Sequence, residues 1–130
     1  MSTPKRILLW VMAFGYVLAG FNHLVDPEFY LAIIPPQLPS PEWLNLVSGL
    51  AEIVLGVALL EPRVRVFAAW GVVALLVAVF PANLYAAEQR IGTDSALAHN
   101  VRLALQALLI AWAWWYTRPD AEHDQSQGSR

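Results

Sequence analysis

The chain has 130 residues, 58% of them hydrophobic and 14% charged, with a mean hydropathy of +0.49 and a formal net charge of −2. Soluble domains carry roughly 25% charged residues, so the balance excludes an ordinary soluble domain, and the slight acidity gives no case for nucleic acid. The absence of cysteine excludes disulfide relay, thiolate nucleophiles and iron–sulfur ligation by this chain alone.

Four apolar stretches are predicted to span a bilayer: residues 7–25, 43–60, 66–87 and 97–116. Each is long enough at ~1.5 Å per residue to cross a hydrocarbon core of ~30 Å, the second being nearest the lower limit. Lys5 and Arg6 ahead of the first stretch resemble the start of a signal peptide. The run is too long for one and no A-x-A site closes it, so it is expected to stay as a span. Asp26-Pro27 then reads as an N-cap with proline at the first helical position, opening a short interfacial helix over 27–34 that Pro35 and Pro36 stop. Ser40-Pro41 repeats the cap before the second span. Glu61-Pro62-Arg63 is a tight turn that makes spans two and three an antiparallel hairpin, and Thr93 or Asp94 is expected to cap the fourth span. The expected architecture is all-α: one four-helix transmembrane bundle over 1–118, then a disordered polar tail over 119–130.

Lys5, Arg6, Arg63, Arg65 and Arg118 fall on one side of this arrangement, whereas the other side holds Arg90 and the embedded Arg102. The positive-inside rule therefore puts both termini in the cytoplasm.

The spans contain polar residues that hydrocarbon does not tolerate without a partner, a water-filled cavity or a function. Asn45, Ser48 and Glu52 share one face of span two, and His99, Arg102 and Gln106 repeat that spacing on span four. Asn22 and His23 end span one, and Pro81, Asn83 and Tyr85 lie toward the end of span three. Counted from Trp43, Glu52 lies ~13 Å deep. All four helices thus bring polar groups to the outer half of the bilayer. The candidate pocket comprises Glu52, Arg102, Gln106, His23, Asn22, Asn83 and Ser48, with Glu52 and Arg102 as its charge pair, bridged by Gln106 or water. Pro81 is expected to kink its helix and widen the pocket. Asn45, Ser48, Asn83 and Gln106 also suit plain interhelical hydrogen bonding, and Gly15/Ala19 and Gly49/Gly56 suit close helix packing. His99 is expected near the loop. Three scattered histidines form no metal ligand set, and no catalytic group is identified.

The segments GFNHLVDPEFYLAIIPPQLP, SGLAEIVLGVALLEPRVRVFAAWG, AVFPANLYAA and RLALQALLIAWAWWYTR, in this order, resemble small bacterial DoxX-like membrane proteins from about Ala19 to Arg118. The positions that match are Asn22, His23, Asp26, Glu52, Pro81, Asn83, Arg102 and Gln106. The resemblance implies a multi-pass protein of the bacterial inner membrane, some of whose relatives are subunits of quinone-linked sulfur oxidation and others partners of redox and stress-response proteins. Three functions stay open. The first is a non-catalytic subunit or partner of such a system, in the bilayer and with room for a homo-oligomer. The second is a redox subunit binding a quinone or other small molecule with Glu52 as proton relay, and the third a small proton-coupled transporter. Whether the chain is an enzyme is left open by its residues.

Overall fold

The computed structural model describes residues 1–118; the predicted polar tail lies outside them. It is helical, with α1 over Thr3–Val25, α2 over Pro27–Ile33, α3 over Pro41–Leu59, α4 over Arg65–Glu88 and α5 over Ala96–Trp115. The helices α1, α3, α4 and α5 are each long and apolar enough to cross a membrane. Large apolar side chains such as Phe14, Val54, Phe67 and Leu108 cover the outside of the bundle, the surface that lipid accepts and water does not. The protein is a small multi-pass membrane protein with α2 as a short helix after the first span.

The order of packing is α1 on α3, α3 on α4 and α4 on α5. Among the described residues no Cα of α1 comes within 8 Å of one in α4 or α5. The bundle is therefore a row bent into a horseshoe, and what fills the space between α1 and α5 determines what the fold can do. At the end that carries both helix α1's start and α5's finish, here the terminal end, side chains close the gap. Leu9, Met12 and Tyr16 of α1 share a buried cluster with Leu59, Val72, Leu76, Ala113 and Tyr116. The Tyr116 hydroxyl accepts from Trp112 Nε1 at 3.0 Å and donates to the Lys5 carbonyl at 3.1 Å. The Lys5 ammonium lies over the Trp115 ring and Arg118 over Trp114, at 5.2 and 3.9 Å, the aromatic–basic pairing expected where a span meets an interface.

The tightest contact is α1 against α3, made possible by glycine. A Cβ at Gly20 would lie 2.5 Å from the Gly49 carbonyl oxygen, and one at Gly56 would lie 2.8 Å from the Ala13 carbonyl oxygen. Small residues at such points let backbones approach, the usual means of helix association where hydrocarbon supplies no hydrophobic drive. Gly15, expected among these packing positions, is not one of them: a Cβ there would meet nothing within 4 Å.

The helix ends depart from the sequence expectation in detail. Neither Asp26 nor Ser40 makes a side-chain cap bond; Asp26 sits at φ −129°, ψ 72°, and Ser40 takes a left-handed φ of 50°. The proline at N1, which lacks the orphan amide, starts both helices instead. Ser95 rather than Thr93 or Asp94 caps α5, accepting from Ala98 N at 3.2 Å. At the α3–α4 hairpin Arg65 reaches back and donates to the Leu59 carbonyl at 2.8 Å, satisfying one of the carbonyls that a helix C-terminus leaves open.

Candidate functional site

The space between α1 and the α4–α5 pair is a cavity of about 590 Å³. All four spans line it, and α2 with Pro35 and Leu38 covers the end opposite the termini. Val11, Gly15 and Ala78 are both lining residues and exposed, so the cavity is continuous with the surface of the bundle. Its walls toward the terminal end are apolar, including Met12, Leu75, Leu109 and Trp112; toward α2 they carry Tyr16, His23, Tyr30, Ser48, Glu52, Asn83 and Arg102.

Two of the polar groups are held by a repeated spacing. On α3, Asn45, Gly49 and Glu52 fall at i, i+4 and i+7, and on α1, Tyr16, Gly20 and His23 do the same. The glycines meet at the crossing, and a Cβ at Gly49 would lie 2.8 Å from the His23 Cβ. His23 is thereby seated against α3. Its Nδ1 lies 2.7 Å from Asn45 Oδ1, while Asn45 Nδ2 donates to the His23 backbone carbonyl at 3.0 Å. That carbonyl can only accept, which fixes the amide orientation of Asn45 and therefore places a proton on His23 Nδ1. Nε2 is left pointing at Glu52 Oε2, 3.5 Å away. Tyr30 stacks on the imidazole with ring centroids 3.7 Å apart, and Asn22 Nδ2 donates to the Tyr30 hydroxyl at 2.6 Å.

This geometry corrects the expected charge pair. Glu52 is paired with His23, not with Arg102, and among the described residues Arg102 has no carboxylate within ion-pair distance. Its guanidinium lies 5.0 Å from the centre of the Phe29 ring, half-buried at the cavity wall. Gln106 does not bridge the two charges either. It is buried between α4 and α5, where its Nε2 donates to the Leu76 carbonyl at 2.6 Å and its Oε1 accepts from Asn83 Nδ2. Asn22 is exposed and serves the site only through Tyr30. Ser48 lines the cavity as expected. His99 lies near the loop as expected, in the first turn of α5, where it is 3% exposed with Nε2 bonded to the Thr93 carbonyl at 2.9 Å. Pro81 sits inside an unbroken α4 and lines the cavity.

The polar residues therefore divide into two sets. Asn45, Asn83 and Gln106 have their amides bonded across helices, which is the behaviour of structural glue. Tyr16 Oη is buried without a hydrogen-bond partner, Glu52 Oε2 is buried with only the 3.5 Å contact to His23, and both residues line the cavity. Tyr16 carries no obvious polar signal in a single apolar run, but its position seven residues before His23 repeats the Asn45–Glu52 interval and could have revealed it. Among the described residues no cluster of His, Asp or Glu could hold a metal ion.

No curated protein and no solved structure matches the chain. A family model described as a domain of unknown function (DUF8561) matches residues 12–117, and the chain belongs to that family.

Proposed function

We propose that the protein is a small-molecule-binding membrane protein whose ligand occupies the cavity between α1 and the α4–α5 pair. The observation that carries this reading is the buried, unpartnered Tyr16 Oη beside a buried Glu52 Oε2 whose one polar contact is His23 Nε2 at 3.5 Å, both on residues lining a cavity of about 590 Å³. A buried polar group without a partner costs about 1–3 kcal/mol, and a bundle selected only for cohesion gains nothing from leaving Tyr16 Oη so. A ligand that bonds it recovers that energy on binding. The volume lies within the roughly 300–1,000 Å³ of small-molecule sites, and the lining has the usual form of apolar walls with a few convergent polar groups. The DoxX-like resemblance supports a second role beside this one, as a subunit or partner in a membrane redox or stress-response system, with a quinone among the ligands the cavity would take.

The test is native mass spectrometry of protein purified without delipidation. A non-covalently bound small molecule is expected on the wild type. It should be lost in Gly15→Leu, whose side chain enters space that is empty around Gly15, while thermal stability is kept. It should be weakened about tenfold or more in the Tyr16→Phe, Glu52→Gln double variant, since a bond to each of these two buried groups contributes roughly 1 kcal/mol. Wild-type protein carrying nothing, with Glu52→Gln lowering stability instead, would leave only the structural role.

A further inference from the structure

Resting on the ligand-binding reading, the charges that face the cavity define the ligand's head group. The titratable groups lining it are Tyr16, His23, Tyr30, Glu52 and Arg102. Asn45 holds a proton on His23 Nδ1, so Nε2 is the atom that meets Glu52 Oε2. A bare Nε2 against an ionised Oε2 would set two lone pairs face to face in a place shielded from water. One proton therefore belongs to that contact, and whichever atom carries it, the His23–Glu52 pair has no net charge. The two phenols are neutral. Arg102 is left as the net charge of the site.

Arg102 is not positioned to discharge that role within the protein. Among the described residues it makes no hydrogen bond or ion pair, and Phe29 supports its face at 5.0 Å. Stacking leaves the edge of the guanidinium, with its five N–H donors, available for a planar or tetrahedral oxyanion. The Tyr16 hydroxyl, 8% exposed at the level of the residue and without a partner, adds a donor on the opposite wall. Between this polar end and Trp112 the walls are apolar, and the cavity is continuous with the lipid-facing surface at Val11, Gly15 and Ala78. We infer that the cavity takes a single-chain amphiphile with an anionic oxygen head, a carboxylate or a phosphate, entering from the bilayer with its head toward Arg102 and its chain toward Met12, Leu109 and Trp112.

The experiment is photolabelling in phosphatidylcholine nanodiscs with dodecanoate bearing a diazirine at its chain end, the sites being mapped by peptide mass spectrometry. Dodecanoate, dodecyl phosphate, 1-dodecanol and a decyl-substituted benzoquinone then compete at equal mole fraction in the bilayer. Labels are expected at Met12, Leu109 or Trp112. At least one of the two anions should compete ten times better than the alcohol and the quinone, and which one does identifies the head. In Arg102→Gln that advantage should fall to about one while labelling by the neutral competitors' own diazirine analogues persists. Equal competition by neutral and anionic chains, or an anion advantage unchanged in Arg102→Gln, overturns the anionic head and leaves the cavity reading standing. Absence of specific labelling by every probe overturns both.

Discussion

Gly49→Ala and Gly20→Ala are expected to destabilise the protein by about 1–3 kcal/mol each, the range for forcing a methyl group into a filled interface, and valine at either position is expected to prevent α1 from seating on α3. Helix propensity alone predicts the opposite sign, a gain of roughly 1 kcal/mol for Gly→Ala within a helix. The crossing decides the outcome, because the new Cβ at Gly20 would be 2.5 Å from a backbone oxygen that cannot rotate away. At Gly49 the obstacle is the His23 Cβ at 2.8 Å, so the same substitution also displaces the imidazole from Asn45 and Glu52. Gly15→Ala is the internal control: with nothing within 4 Å, propensity is unopposed and stability should be kept or raised. Reversible unfolding of the three variants in a common detergent, read by tryptophan fluorescence or circular dichroism, gives the signs directly. A stabilised Gly49→Ala would mean that α1 and α3 are not in the close register described.

The second large effect is expected at Asn45. Its amide joins α1 to α3 twice, through His23 Nδ1 and the His23 carbonyl. Interhelical hydrogen bonds in membranes average about 0.6 kcal/mol and reach about 1.7. Asn45→Leu removes two of them and leaves the buried Nδ1–H without an acceptor, which adds about 1–3 kcal/mol. A loss of about 2–4 kcal/mol is expected in total, and ligand binding should fall with it because Nε2 would no longer be held toward Glu52. Asn83→Ala removes one bond from a half-buried residue and leaves Oε1 of the buried Gln106 without a donor, and should cost about 1–3 kcal/mol. The ranking is the informative result. If Asn83→Ala proved costlier than Asn45→Leu, cohesion would lie in the α4–α5 contact and not in the α1–α3 crossing.

The bundle was readable from the sequence because each span is a predominantly apolar run whose length matches a bilayer, and proline marks the starts of α2 and α3. The face shared by Asn45, Ser48 and Glu52 was readable for the same reason, since position along one helix fixes direction around it. The partner of Glu52 was not. Depth counted along separate helices says nothing about how each is rotated or how closely two of them cross. Arg102 and Glu52 have opposite charges and comparable depth, but α5 makes no close approach to α3, the helix of Glu52, and packs on α4 instead, where its arginine finds Phe29. His23 reaches Glu52 because Gly20 and Gly49 bring α1 and α3 together, a fact about two helices at once. Asn22 and His23 illustrate the limit at a single step of the chain. Adjacent residues on a helix differ by about 100°, so both cannot enter the site, and the crossing selects His23. Tyr16 gives no polar signal of its own, since a tyrosine in an apolar run also suits core, and only its seven-residue interval to His23 marks it.

The claim that Tyr16 and Glu52 face a ligand is tested most directly by an experimental density map of the protein taken from its membrane with native lipids and small molecules retained. The account predicts elongated density between α1 and the α4–α5 pair, its polar end within hydrogen-bond distance of Tyr16 Oη or Glu52 Oε2 and its apolar end beside Trp112. A gap closed by α1 moving onto α5, or ordered water alone joining Tyr16 to Glu52, would contradict it.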